Sequence, residues 1–324
     1  MRAPRKGLIA TAAAAVALAA TACGGDDGHE SGAVERNAPS AASFPAGGAT
    51  LDELLAGHPA TDLVILPAGQ VFVPGRNRFG FIVSTVGGEE VADAEVAIYA
   101  AHGDGGAVRG PFPARVESLG TEPAFTAKTT ADDPDSARAL YASDVELGRP
   151  GEWRLVALVR DGDGFAVSRL PSIEVDRDDP VPAEGERAPV IHTPTVGDVG
   201  AVGEIDTRVP HSTLHDHDFA EVVGNRPVAL VFATPALCQS RVCGPVVDVA
   251  EQVKSNHDGD AAFIYMEIYE GNDPSAGLRE QVRAFNLPTE PWLFVVDRDG
   301  VIDTRIEGPF SVDELEAAID RVAG

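Results

Sequence analysis

Residues 232–246 read FATPALCQSRVCGPV, and how this stretch is taken decides the fold. It places Cys238 and Cys243 between a short apolar run, residues 228–232, and a segment of helical spacing. The only other cysteine is Cys23, near the start of the chain. Two thiols this close in an oxidising compartment are either a staple or a redox centre. Closing so small a ring stabilises a fold by only about 2 kcal/mol on the chain-entropy formula. A domain with its own core scarcely needs that, so the redox reading is the stronger.

Working outward, residues 246–254 put Val246, Val249, Ala250 and Val253 on one helical face. Residues 262–268 read as a strand, and Leu278, Val282 and Phe285 fall at i, i+4 and i+7 of a second helix. Residues 292–297 and 301–306 are strands turned by Arg298-Asp299-Gly300. Ser311 and Glu314 form a capping box that opens a last helix, with Val312, Leu315, Ile319 and Val322 inward. The order is β-α-β-α-β-β-α, with a further strand possible before Val228.

This order, the cysteine pair after the first core strand, and LPTEPWLFVVDRDG (287–300) resemble the thioredoxin fold. The closest branch is the extracytoplasmic, TlpA-like group of thiol–disulfide proteins, and the resemblance covers residues 190–324. It implies that Pro291 is cis and lies beside the cysteines, and that Glu290 offers its backbone to an incoming substrate strand. The family spacing is C-x-x-C, whereas this pair is C-x4-C, so two registers are open. Either Cys238 takes the nucleophile's place and Cys243 resolves, or Cys243-Gly-Pro-Val246 overlays Cys-Gly-Pro-Cys with its second cysteine lost. Cys238 lies six residues after Phe232, close to the family spacing, and is favoured as attacker. The family also keeps a buried carboxylate on the first core strand, where residues 228–231 are apolar. Glu267, at the end of the second strand, is the candidate replacement.

The spacing has a chemical consequence. A sulfur at a helix N-terminus is favoured in its ionised form, and Arg241 would add to this. In an ideal helix, residues i and i+5 have Cα atoms roughly 8.7 Å apart, more than the ~7 Å a disulfide tolerates. Redox state is therefore coupled to local backbone, and less so if Cys238 precedes the helix than if it lies in the first turn.

Two other resemblances bear on function. C-x4-C is also the spacing of peroxiredoxin Q, a thiol peroxidase, and TPALCQSRVC (234–243) has that family's threonine-proline lead-in. Pro235, however, stands where a threonine is expected three residues before the cysteine. HSTLHDHD (211–218) gathers His211, His215 and His217 with Asp216 and Asp218, which is similar to what a non-enzymatic, Sco-like copper-binding protein would use. The Sco pair is C-x3-C, and Met266 is the only methionine beyond the initiator. No organic cofactor is implied.

Residues 1–22 have a basic start (Arg2, Arg5, Lys6) and a short apolar run from Leu8 to Ala20. This matches an export signal and is too short for a membrane span. Ala20-Thr21-Ala22-Cys23 resembles the lipobox of bacterial lipoproteins, with Ala20 where leucine is usual. That implies lipidation at Cys23 and a place on the outer face of the cytoplasmic membrane. Residues 23–60 read as a flexible tether. Residues 61–178 alternate with period two, as in Arg78–Val83, and read as an immunoglobulin-like β-sandwich. Residues 161–164, Asp-Gly-Asp-Gly, turn the Trp153 strand into a hairpin. Residues 179–189 read as a linker.

Charge bounds the partners. The signal carries three of the 25 basic residues, leaving 22 against 51 acidic ones, a formal charge of −29. Such a surface repels phosphate backbones, which excludes nucleic acid. Protein thiols or disulfides of the cell envelope are the expected partners.

Overall fold

The computed structural model describes residues 1, 36–48, 50–238, 242–257 and 259–324. The expected signal, Cys23 and Arg241 lie outside the described residues.

From residue 36 onward the stretch expected as a tether is packed. Thr50 caps α1 (Leu51–Gly57) through a capping box with Glu53. Phe44, Leu51 and Leu54 are buried against Tyr99, Val156 and Leu158. Three apolar side chains are too few for a core of their own, but here they complete a surface that strands supply.

The next region is β1 (Leu63–Pro67), β2 (Gly75–Thr85), β3 (Val96–His102), β4 (Arg109–Ser118), the single turn α2 (Lys128–Ala131), β5 (Ala139–Leu147), β6 (Gly151–Asp161), β7 (Gly164–Arg169) and β8 (Ile173–Val175). Strands run β1-β2-β5-β4-β3-β6-β7, antiparallel throughout, with β8 on β6. The inward residues of β2 (Phe79, Phe81, Val83) and β6 (Trp153, Leu155, Ala157, Val159) share one core. The pairing is a single path where two sheets were expected, because β4 serves both halves. Its first part pairs with β3 and residues 114–118 pair with β5. The hairpin between β6 and β7 forms as the sequence predicts, with Gly162 at φ 55°.

The C-terminal region holds α3 (Phe219–Val222), β9 (Val228–Ala233), α4 (Cys243–Asn256), β10 (Ala262–Glu267), α5 (Glu280–Ala284), β11 (Trp292–Val296), β12 (Ile302–Glu307) and α6 (Val312–Ala323). The sheet order is β10-β9-β11-β12, with β9 parallel to β10 and the other pairs antiparallel. Helices α4 and α6 cover one face, and α3 and α5 the other. Strand β9 is therefore buried on both sides, which is why residues 228–233 carry no polar side chain. This is the β-α-β-α-β-β-α order that the sequence predicts.

Three expectations change in detail. No strand forms among residues 190–227; Leu214 instead runs beside β10, its carbonyl accepting from the Tyr265 N–H at 3.0 Å. Leu278 lies before α5 and is exposed, bridging to Tyr269, because α5 begins only at Glu280. The expected linker packs: Val181 and Ala188 are buried in the α3/α5 face, and the Gly185 N–H donates to the Ile302 carbonyl.

The two regions are joined by polar and apolar contacts. Glu314, the N3 residue of the α6 capping box, takes both Arg78 (2.8 Å) and Arg115 (2.6 Å) from the β region. Burial opposes ionisation of this carboxyl, but the two guanidiniums outweigh it and hold it below the usual range. Glu307 accepts the backbone N–H groups of Gln70 and Val71, each at 2.9 Å. Gly308, at φ +83°, follows it, and a β-carbon there would lie 2.5 Å from the Ala68 carbonyl oxygen. Only glycine permits so close an approach in that conformation.

Candidate functional site

Strand β9 ends at Ala233 and releases the chain into a tight turn. The Thr234 carbonyl accepts from the N–H groups of Leu237 (3.1 Å) and Cys238 (3.0 Å). Cys238 thus sits in a loop ahead of α4, whereas Cys243 is the first residue of that helix. The two are disulfide-bonded with Cα atoms 6.0 Å apart, within disulfide reach and well short of an ideal helical i, i+5 separation. Placing Cys238 in the loop removes the need to unwind a helical turn. The cysteines differ in access: Cys243 is wholly buried, while Cys238 is partly exposed.

Glu290–Pro291 is a cis peptide, as the resemblance implied. Trp292 pairs with Phe232, so one step further Pro291 stands beside Ala233, at the root of the cysteine loop. Thr289 ties this corner to β12 through Glu307, at 2.6 Å. Glu290 is half-buried, and burial pushes its carboxyl up. No ion pair compensates it among the described residues.

Beneath the loop is a buried carboxylate. Glu267 ends β10 directly opposite Ala233 and is fully buried. Its Oε1 accepts from the Thr207 N–H at 2.8 Å and from the Tyr265 hydroxyl. The Thr207 hydroxyl in turn accepts the Ala236 N–H of the cysteine loop at 3.1 Å. Oε2 of Glu267 has no hydrogen-bond partner among the described residues. A buried carboxylate oxygen without a donor is costly. Thr207 carried no signal in sequence, because its link to the loop depends on a chain crossing from far upstream.

A third feature was also missed. Val242, immediately before Cys243, is 2% exposed and inserts between Leu119, Ala137 and Leu140 of the β region, with Ile82 alongside. Six residues further, on α4, Asp248 accepts the Ala127 N–H at 3.0 Å and pairs with Arg208 at 2.7 Å. Burial raises the Asp248 carboxyl in spite of these partners. The start of the cysteine helix is therefore fastened to the β region at two points. The one hint in sequence is that Val242 is the sole large apolar side chain between Leu237 and Cys243.

The histidine cluster disperses. His215 is buried against Asp206 (3.2 Å) and the Tyr265 ring, His211 is exposed, and His217 is half-buried. Asp216 pairs with Lys254, and Asp218 caps α3 and pairs with His192. Among the described residues no group of three or more metal-ligating side chains comes together. Met266 is in the core.

No family model matches the chain, and no curated protein matches it. Among solved structures, a protein titled thiol:disulfide interchange protein DsbE from Chlorobium tepidum is similar at 16% identity and a TM-score of 0.33. The match covers 44% of this chain and 99% of that one. A thioredoxin-family thiol:disulfide interchange protein from Chlorobium tepidum TLS matches over the same shares, at 18% identity and a TM-score of 0.31. Likeness at this level says nothing about activity. Among the described residues no helix is long and apolar enough to cross a membrane.

Proposed function

We propose that the chain is an extracytoplasmic thiol–disulfide oxidoreductase, held to the membrane by a lipid on Cys23, with Cys238 as attacker and Cys243 as resolver. The observation that carries this reading is the asymmetry of the bonded pair: one cysteine partly exposed in a loop whose root lies beside a cis-proline, the other buried at a helix start. A substrate thiolate attacks the Cys238 sulfur, the Cys238–Cys243 bond breaks, and Cys243 leaves as thiolate. The N-terminus of the 14-residue helix α4 stabilises that departing charge. A second substrate thiolate then attacks the substrate sulfur of the mixed disulfide, and Cys238 leaves. The substrate has lost two electrons and the pair has gained them; a substrate disulfide runs the same steps backwards.

Glu267, with its open oxygen under the loop, exchanges the proton that accompanies the change between thiol and thiolate. Pro291 and Glu290 orient the incoming chain by their backbone. The β region, an immunoglobulin-type sandwich on this reading, supports the site through Val242 and Asp248. The expected partners are protein thiols or disulfides of the cell envelope. Among the described residues His211, His215 and His217 do not share a site, which favours this reading over a copper carrier.

The experiment is Cys243→Ser expressed in the native cell envelope. Mixed disulfides between Cys238 and envelope proteins are the expected result. Rapid sulfenate formation with peroxide and no protein adducts would replace this reading with a thiol peroxidase.

A further inference from the structure

A cleft of about 950 Å³ lies between the β region and the cysteine domain. One wall includes Val242, Thr289 and Glu290, the neighbours in sequence of Cys243 and of the cis-proline. From the β region the lining takes Leu66, Ile82 and Glu89, in β1, β2 and the turn that follows, with Ile82 meeting Val242. Leu66 and Ile82 are paired across β1 and β2, so their side chains stand together on the face turned away from the β core. Leu66 is 49% exposed, an unusual state for a leucine in a strand.

The charges in this cleft do not balance. Glu90 is satisfied by the backbone N–H groups of Arg138 and Ala139 and pairs with the Arg138 side chain at 3.7 Å. Glu89 and Glu290 have no ion-pair partner among the described residues, and Glu290 is partly desolvated. A half-buried carboxylate with no cation beside it is a place where an arriving cation gains most. The cleft therefore combines an apolar shelf, two carboxylates that have no ion pair among the described residues, and an edge of the cysteine loop.

We infer that the β region is the second wall of the substrate cleft, and that it selects an extended protein segment with a lysine or arginine beside its reactive cysteine. This rests on the oxidoreductase reading and adds the partner's chemistry to it. The apolar residue on the other side of the cysteine lies on Leu66 and Ile82, and the basic side chain reaches Glu290 and Glu89. A strongly acidic protein gains encounter rate from such a partner in the same way.

The test uses the reduced full-length chain and short peptides that differ only in the residue beside cysteine (Lys, Gln or Glu), each carried as a mixed disulfide with 2-mercaptoethanol. The expected result is exchange about tenfold faster for the Lys than for the Glu peptide at low ionic strength, with the ratio shrinking as salt is added. Glu290→Gln and Glu89→Gln reduce the ratio, and Leu66→Arg, at an exposed position that folding tolerates, inverts it. Equal rates for the three peptides while hydroxyethyl disulfide still exchanges would overturn the cleft proposal alone. No exchange even with hydroxyethyl disulfide would overturn the oxidoreductase reading and the cleft proposal with it.

Discussion

The two ends of the disulfide are held in opposite ways. Cys238 follows β9 by one turn, its N–H donating to the Thr234 carbonyl, and the neighbouring Ala236 N–H donates to the Thr207 hydroxyl. Cys243 begins a helix whose preceding residue is buried in the β region and whose next turn is fastened by Asp248. The Cys243 side is thus the one tied to the β region. The difference teaches that the β region, which has no cysteine of its own, still reaches the disulfide by holding one of its two ends.

Breaking the anchored side altogether should show the largest effect. Arg208 and Asp248 form a buried pair, with side chains 6% and 1% exposed. Arg208→Met leaves a buried carboxylate without its cation, and a loss of about 3–5 kcal/mol is expected in denaturant unfolding. A loss under 1 kcal/mol would mean that Asp248 is held adequately by Ala127 alone. Next comes access. After reduction, alkylation followed by mass spectrometry should find Cys238 modified about a hundredfold faster than Cys243. Equal rates would erase the asymmetry.

Val242→Ala sharpens the comparison more gently. Removing two methyl groups from the apolar pocket should cost about 1–2 kcal/mol and speed reduction of the disulfide several-fold by loosening the buried end. Unchanged reduction kinetics in a destabilised variant would show that the anchor is structural only. The smallest effect concerns pH. Glu314 has a lowered carboxyl, so its contribution is full above the ordinary glutamate range near ~4.3 and fades as pH falls through its depressed value. The melting temperature of Glu314→Gln should lie below that of the wild type at neutral pH and converge on it in acid. A constant gap would show that the arginines do not act through the charge.

Much of the cysteine domain was legible because its signals are local. The apolar run at 228–233, the capping box at Ser311 and the turn at Gly300 each depend on a few consecutive residues. Pro291 was singled out by the resemblance of residues 287–300 to a known family, and its peptide bond is cis. What escaped was set by distant chain. Phe44, Leu51 and Leu54 look too sparse to fold until Tyr99 and Leu158 lie over them. Val181 and Ala188 read as linker for the same reason. Strand β4 was obscured by Gly110, Pro111 and Pro113, which break the alternation where the strand passes from one partner to the other. Thr207 and Val242 matter to the site only through contacts made across the fold.

Gly308 carries a consequence for how such a protein can change over generations. Where its backbone lies on the Ala68 carbonyl, there is no side chain to trim or lengthen, so neither half can be traded for a relative's module by adjusting a seam. Recombination that shuffles the front half against another redox domain would have to reinvent this junction, which ties the inheritance of the two halves together.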